Sequence, residues 1–205
     1  MEKEQNYQRD LAEIRSLMER SAKFLSLSGW AGVMAGIYAL VGAYIAHQFL
    51  HFDPALHIKG DVSTPSLLVS LTATAVLVLT LTLTTGFVLS YRRAKKLGEP
   101  FWNTGMRRII QLMGMPLVSG GLLLLLFLSQ GSLHLLAPIS LVFYGMAIYN
   151  AGHFSYRELQ YLGITEAMLG IVAAFFPAYG LLLWAFGFGA LHIVYGVYIH
   201  MKYQQ

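Results

Sequence analysis

Glu166 and His192 are the residues of this 205-residue chain best placed to do chemistry. Each stands inside an apolar stretch, where an ionisable side chain is costly and by default marks a functional site. Glu166 precedes Pro177 by eleven residues, and His192 follows Gly180 by twelve. At ~1.5 Å per helical residue both lie ~16–18 Å from the turn between their segments, near the middle of a bilayer. Antiparallel helices joined by that turn can bring the carboxyl and the imidazole together, to share a proton or form an ion pair. A proton relay or substrate contact and a purely structural hydrogen bond are both open readings. The depth of Glu166 is open too: a fifth helix starting at Gly163 puts it in the first turn, as a favourable charge on the helix dipole.

A second set is the run of hydroxyls Ser66, Ser70, Thr72, Thr74, Thr80, Thr82, Thr84 and Thr85 in one apolar segment. Such side chains bond back to a carbonyl one turn earlier and cross hydrocarbon cheaply. Ser70, Thr74, Thr80 and Thr84 are therefore candidates for lining a solute path, with tolerated polarity as the plainer reading. His47 and His51, four apart, stand near Asp53, His57 and Asp61 and offer a weak outward-facing metal or pH-sensing site. Solvated loop histidines explain them as well. His153 and His200 have no spacing that points to bis-histidine haem ligation. The chain has no GxSxG or HExxH motif, no phosphate loop and no acidic cluster for a binuclear metal. It also has no cysteine, which excludes disulfides, thiolate metal sites and cysteine nucleophiles. No catalytic, cofactor or metal site is assigned, and an enzyme is not expected.

The elements that must position these residues are six apolar runs, approximately 24–50, 66–91, 109–128, 133–152, 159–176 and 181–201. Most approach the ~20 residues a helix needs to cross ~30 Å of hydrocarbon. The fold class is therefore all-α: a polytopic membrane protein of six transmembrane helices within residues 24–203, arranged as three helical hairpins. Of 14 Lys and Arg residues, all but Lys59 fall before the first run, after the last, or in alternate gaps between. The positive-inside rule then places both termini in the cytoplasm, in a bacterial inner membrane. Residues 1–23 form a cytoplasmic amphipathic segment, with Leu11, Ile14, Leu17, Met18 and Leu25 on one helical face of residues 8–25. The start, MEKEQNYQRD, is too polar for a signal peptide, so the first span is expected to act as a signal-anchor. The net charge of +4 does not point to nucleic acid, because the cations flank the spans, where anionic lipid attracts them.

Helix association in lipid relies on close backbone approach. Ser28, Gly32 and Gly36 in the first span, and Ala185 and Gly189 in the sixth, are small-xxx-small stripes and candidate seams. Whether they face one another or a second protomer is open. Pro116 and Pro138 are expected to kink the third and fourth spans. Tyr91, Trp102, Tyr156, Tyr161, Tyr179 and Tyr203 fit interfacial aromatic belts.

Two hairpins look related. Gly121 precedes Gly131 by ten residues, as Gly170 precedes Gly180, and Phe143-Tyr144-Gly145 echoes Val194-Tyr195-Gly196. The stretch Gly170-Ile-Val-Ala-Ala-Phe-Phe-Pro177-Ala-Tyr-Gly180, then Trp184-Ala-Phe-Gly187-Phe-Gly189 and Tyr195-Gly196, resembles a hairpin of the HdeD-like acid-resistance membrane proteins. The resemblance is clearest over residues 163–203. The chain departs from that family in its long first external loop, 51–65, and its amphipathic N-terminal segment. The likeness implies three hairpins and a stress-related role, and carries no catalytic residue across.

Three functions follow as expectations: a non-enzymatic inner-membrane protein in acid or envelope-stress tolerance; a small channel or transporter for protons or a neutral solute, using the hydroxyls with Glu166 and His192; or a sensor whose basic segment 92–108 docks a cytoplasmic regulator. The expected partners are the lipid bilayer, further copies of the chain and a cytoplasmic protein, and no cofactor is expected.

Overall fold

The computed structural model of the chain describes residue 7 and residues 27–57 and 65–204. The amphipathic reading of residues 1–23, and Lys59 and Asp61, fall outside the described residues. Among the described residues all regular structure is helical. The helices are α1 (Gly29–Tyr44), α2 (Pro65–Lys96), α3 (Thr104–Ser129), α4 (Leu136–Gly152), α5 (Glu158–Phe175), α6 (Gly180–Trp184) and α7 (His192–Tyr203). A π-helical turn, Ile45–Phe49, prolongs α1, and a π-helical segment, Ala185–Leu191, joins α6 to α7 into one sixth rod. Five rods are long and apolar enough to cross a membrane: Gly29–Phe49, Pro65–Lys96, Thr104–Ser129, Leu133–Gly152 and Pro177–Tyr203. With its 18 residues, α5 is ~27 Å long and of comparable reach, but its first turn is polar. These helices are compatible with a multi-pass membrane protein.

Several boundaries differ from the sequence reading for identifiable reasons. α2 runs on to Lys96, because nothing breaks it before Gly98 and cations suit a helix C-terminus. α3 starts earlier, at Thr104, where the Asn103 side chain caps it by accepting from Met106 N at 2.9 Å. Pro116 does lie inside α3. Pro138 does not interrupt α4: it falls in the first turn, where an amide has no intrahelical acceptor to lose. α5 begins at Glu158, so Glu166 stands at mid-helix and not in a first turn beginning at Gly163.

Close packing follows the glycines. A Cβ at Gly32 would press on Gly196 Cα and the His192 carbonyl, both 3.3 Å away, and one at Gly36 would meet Gly189 and Ile193. Gly189 in turn receives the Leu40 side chain. Gly32, Gly36 and Gly189 thus share one seam between α1 and the sixth rod of the same chain. A second seam joins α4 to α5, where Gly145 and Gly163 face each other backbone to backbone. α3 packs on α4, with Gly120 receiving Phe143. α2 leans on α1 through Tyr38 Oη and Thr85 Oγ1, 3.2 Å apart, and through Gly42 against Val78. The tightest contacts therefore run between α4 and α5 and between the first and sixth rods. These hold Glu166 and His192 at the centre of the bundle.

At the end of the bundle away from the Ser129–Ser132 and Pro177–Tyr179 turns, the last residues bind several helices at once. Gln204 donates to the Leu27 carbonyl at 2.9 Å and accepts from Gly29 N at 3.1 Å. Arg93 donates to the Tyr203 carbonyl at 3.1 Å. Both Lys202 Nζ, at 2.6 Å, and the Tyr203 hydroxyl, at 2.9 Å, donate to Glu158 Oε1.

Candidate functional site

Glu166 is completely buried and His192 is 6% exposed. Glu166 comes from the middle of α5, and His192 from the first residue of α7, directly after the π-helical segment. Widened turns of this type occur preferentially at functional sites. Glu166 Oε1 lies 3.3 Å from His192 Nδ1. The same nitrogen is 3.1 Å from the Gly187 carbonyl oxygen. A carbonyl can only accept, so the proton is on Nδ1, between the carbonyl and the carboxyl group. In the neutral imidazole Nε2 is then an acceptor, and the Tyr144 hydroxyl, 2.8 Å away, donates to it. Tyr144, His192 and Glu166 thus form one chain across three helices.

Glu166 Oε1 and Oε2 have no hydrogen-bond donor by full geometry among the described residues. An isolated carboxylate in such a place is very costly, so a proton must reside on Glu166 or on the imidazole beside it. Both arrangements keep the pair neutral overall. Its walls are apolar. Leu141 is fully buried, and Phe188 stacks on His192 at 5.8 Å with the planes 16° apart. Phe188 also lies 4.8 Å from the Tyr144 ring. Gly187 makes the approach possible: a Cβ there would lie 2.6 Å from Glu166 Oε2 and 2.8 Å from Leu141 Cδ2.

The hydroxyls of α2 are placed elsewhere. Ser70 and Thr74 are half-buried, while Thr80 and Thr84 are exposed. Thr74 donates to the Ser70 carbonyl at 2.8 Å and Thr80 to the Val76 carbonyl at 2.7 Å. These are back-bonds within the helix. The main contacts of α2 are with α1, whereas Glu166 and His192 stand on α5 and α7. Of the other histidines, His47 lines a cavity of about 460 Å³ with Asp53 and Tyr179 at the turn end. No group of three or more potential metal ligands is present among the described residues. His153 Nδ1 lies 3.2 Å from the Tyr149 carbonyl, and His200 packs on Trp30 at 5.3 Å.

The sequence reading missed Tyr144 and Gly187 as parts of the site. Both lay in the quoted glycine–aromatic patterns. A tyrosine far from either end of an apolar run was the available signal, since belt residues sit at the ends. No family model matches the chain, and neither do any curated protein or solved structure. The likeness to HdeD-like proteins therefore rests on the hairpin residues alone.

Proposed function

We propose that this chain is a non-enzymatic bacterial inner-membrane protein that crosses the bilayer six times as three hairpins, with both termini cytoplasmic, and that Tyr144, His192 and Glu166 take up and release a proton within it. In this reading the protein serves acid or envelope-stress tolerance, as the likeness to HdeD-like proteins implies. One observation carries the proposal: a fully buried carboxyl group without a donor of its own, held against an imidazole at a widened helical turn. A structural ion pair is normally completed by further hydrogen bonds. This one is left with oxygens free to take a proton.

Infrared difference spectroscopy across an acid titration tests the site. A buried carboxyl C=O band should appear or shift with pH and vanish in Glu166→Gln. Absence of any such band removes the proton-binding claim. Survival of a deletion strain in acid, complemented by wild type or Glu166→Gln, tests the physiological claim, and equal survival of all strains removes it. Reporter fusions at both termini test the orientation.

The series Tyr144–His192–Glu166, a 2.8 Å hydrogen bond followed by a 3.3 Å approach, also favours a second reading, proton conduction. Liposomes holding wild type, Glu166→Gln or His192→Ala should then leak protons at different rates. Equal rates discard it.

A further inference from the structure

A groove of about 550 Å³ opens between the start of α5 and the end of α7. Arg157, Glu158 and Tyr161 line one side, and Tyr195, Tyr198 and Lys202 the other. Its charges are two cations and one carboxylate. They are already partly organised: Glu158 Oε1 accepts from Lys202 and Tyr203, and Lys202 Nζ lies 5.4 Å from the Tyr198 ring and 5.1 Å from the Tyr203 ring. Glu158 Oε2 is buried without a hydrogen-bond partner among the described residues. Arg157 is exposed, and the flanking Tyr161, Val194 and Tyr198 expose large apolar surfaces.

We propose that this groove is a binding site for an anionic glycerophospholipid whose head group carries hydroxyls, such as phosphatidylglycerol. The phosphodiester lies between Arg157 and Lys202. Its single negative charge balances the groove's net single positive charge. The Lys202 side chain is half exposed. As it moves onto the phosphate, a head-group hydroxyl supplies the donor that Glu158 Oε2 lacks. The acyl chains descend along Tyr161 and Val194, where tyrosines mark the boundary between polar head and hydrocarbon. A head group bearing an ammonium adds a third cation and is disfavoured. Basic pockets between spans at the cytoplasmic surface are a recurrent place for anionic head groups. The assignment rests on the membrane reading, which places this end of the bundle at the inner leaflet.

The test uses the full chain in neutral-detergent micelles. Lipid retained per protein is counted by native mass spectrometry, and thermal stability is measured in parallel. The additives are phosphatidylglycerol, phosphatidylethanolamine, phosphatidylcholine and chain-free glycerophosphoglycerol. Wild type should retain phosphatidylglycerol preferentially and melt higher with it. Arg157→Gln and Lys202→Gln should each weaken retention about fivefold, and Lys95→Gln, on α2, should not. Arg157→Gln leaves the Lys202–Glu158 contact intact and so is informative even where Lys202→Gln destabilises the fold. Equal retention of the three phospholipids, or wild-type retention by Arg157→Gln, overturns the proposal. Equal stabilisation by glycerophosphoglycerol overturns the lipid as the source of the phosphodiester. Release of the wild-type protein from membranes by alkaline carbonate counts against the membrane reading itself. Membrane retention without phosphatidylglycerol preference counts against this site alone.

Discussion

Replacing Gly187 by alanine isolates the packing that holds the buried carboxyl group in place. In an unconstrained helix Gly→Ala stabilises by up to ~1 kcal/mol, because glycine loses more backbone entropy on folding. Here the new methyl would stand 2.6 Å from Glu166 Oε2 and 2.8 Å from Leu141 Cδ2. Ordinary contact begins near 3.4 Å, so the carboxyl group must retreat by about 0.8 Å into a packed bundle. Overpacking of that size costs ~1–3 kcal/mol. The expected net effect of Gly187→Ala is a destabilisation of up to ~2 kcal/mol, opposite in sign to the helix-propensity effect. Reversible unfolding in mixed micelles by a denaturing detergent measures it. A double-mutant cycle with Glu166→Ala identifies the cause: without the carboxyl group only the Leu141 contact remains, and the penalty should fall by ~1 kcal/mol. A stabilising Gly187→Ala, or the same effect with and without Glu166, would falsify the packing account of the site.

Three further outcomes are expected. Gly36→Leu should cost several kcal/mol in the same unfolding assay, because a Cβ there already meets the Gly189 carbonyl and the Ile193 side chain and amide nitrogen. Tyr144→Phe should cost ~0.5–1.5 kcal/mol and move the imidazole NMR signals of His192, since it removes the 2.8 Å hydroxyl bond and little volume. The third concerns pH. Burial pushes the Glu158 carboxyl upward, but hydrogen bonds from Lys202, its own backbone amide and Tyr203, with the Lys202 charge, hold it below the usual carboxylate range. A lowered folded value means that Glu158 adds stability above its unfolded value and loses it as pH falls through the folded one. Melting temperatures of wild type and Glu158→Gln should therefore converge on acidification through that window, and a constant difference would contradict it.

The rods were legible because hydrophobic length is a property of each segment alone. The pairing of Glu166 with His192 was also within reach, since two distances counted from one turn place both residues at one depth. What could not be read was which rods touch. The α4–α5 seam depends on Gly145 meeting Gly163, and glycine spacing within one helix does not name its partner. The extra residue of the π-helical segment is equally silent in composition, although it sets where His192 points. The hydroxyls of α2 follow the plainer of their two readings at two positions, since Thr74 and Thr80 bond back to carbonyls of their own helix.

The 32 residues of α2 make a rod ~48 Å long, against ~30 Å of hydrocarbon. Such a mismatch is relieved by leaning over or by projecting beyond the surface. With α1 as its chief lateral support, α2 would have room to change its slope in a bilayer of different thickness. Its basic foot is meanwhile latched by Arg93 to the Tyr203 carbonyl. In a bilayer, thicker lipid would stand the rod more upright and draw on that latch and thinner lipid would slacken it, so that Arg93 is one link from the lipid to Tyr203 near the end of the last helix.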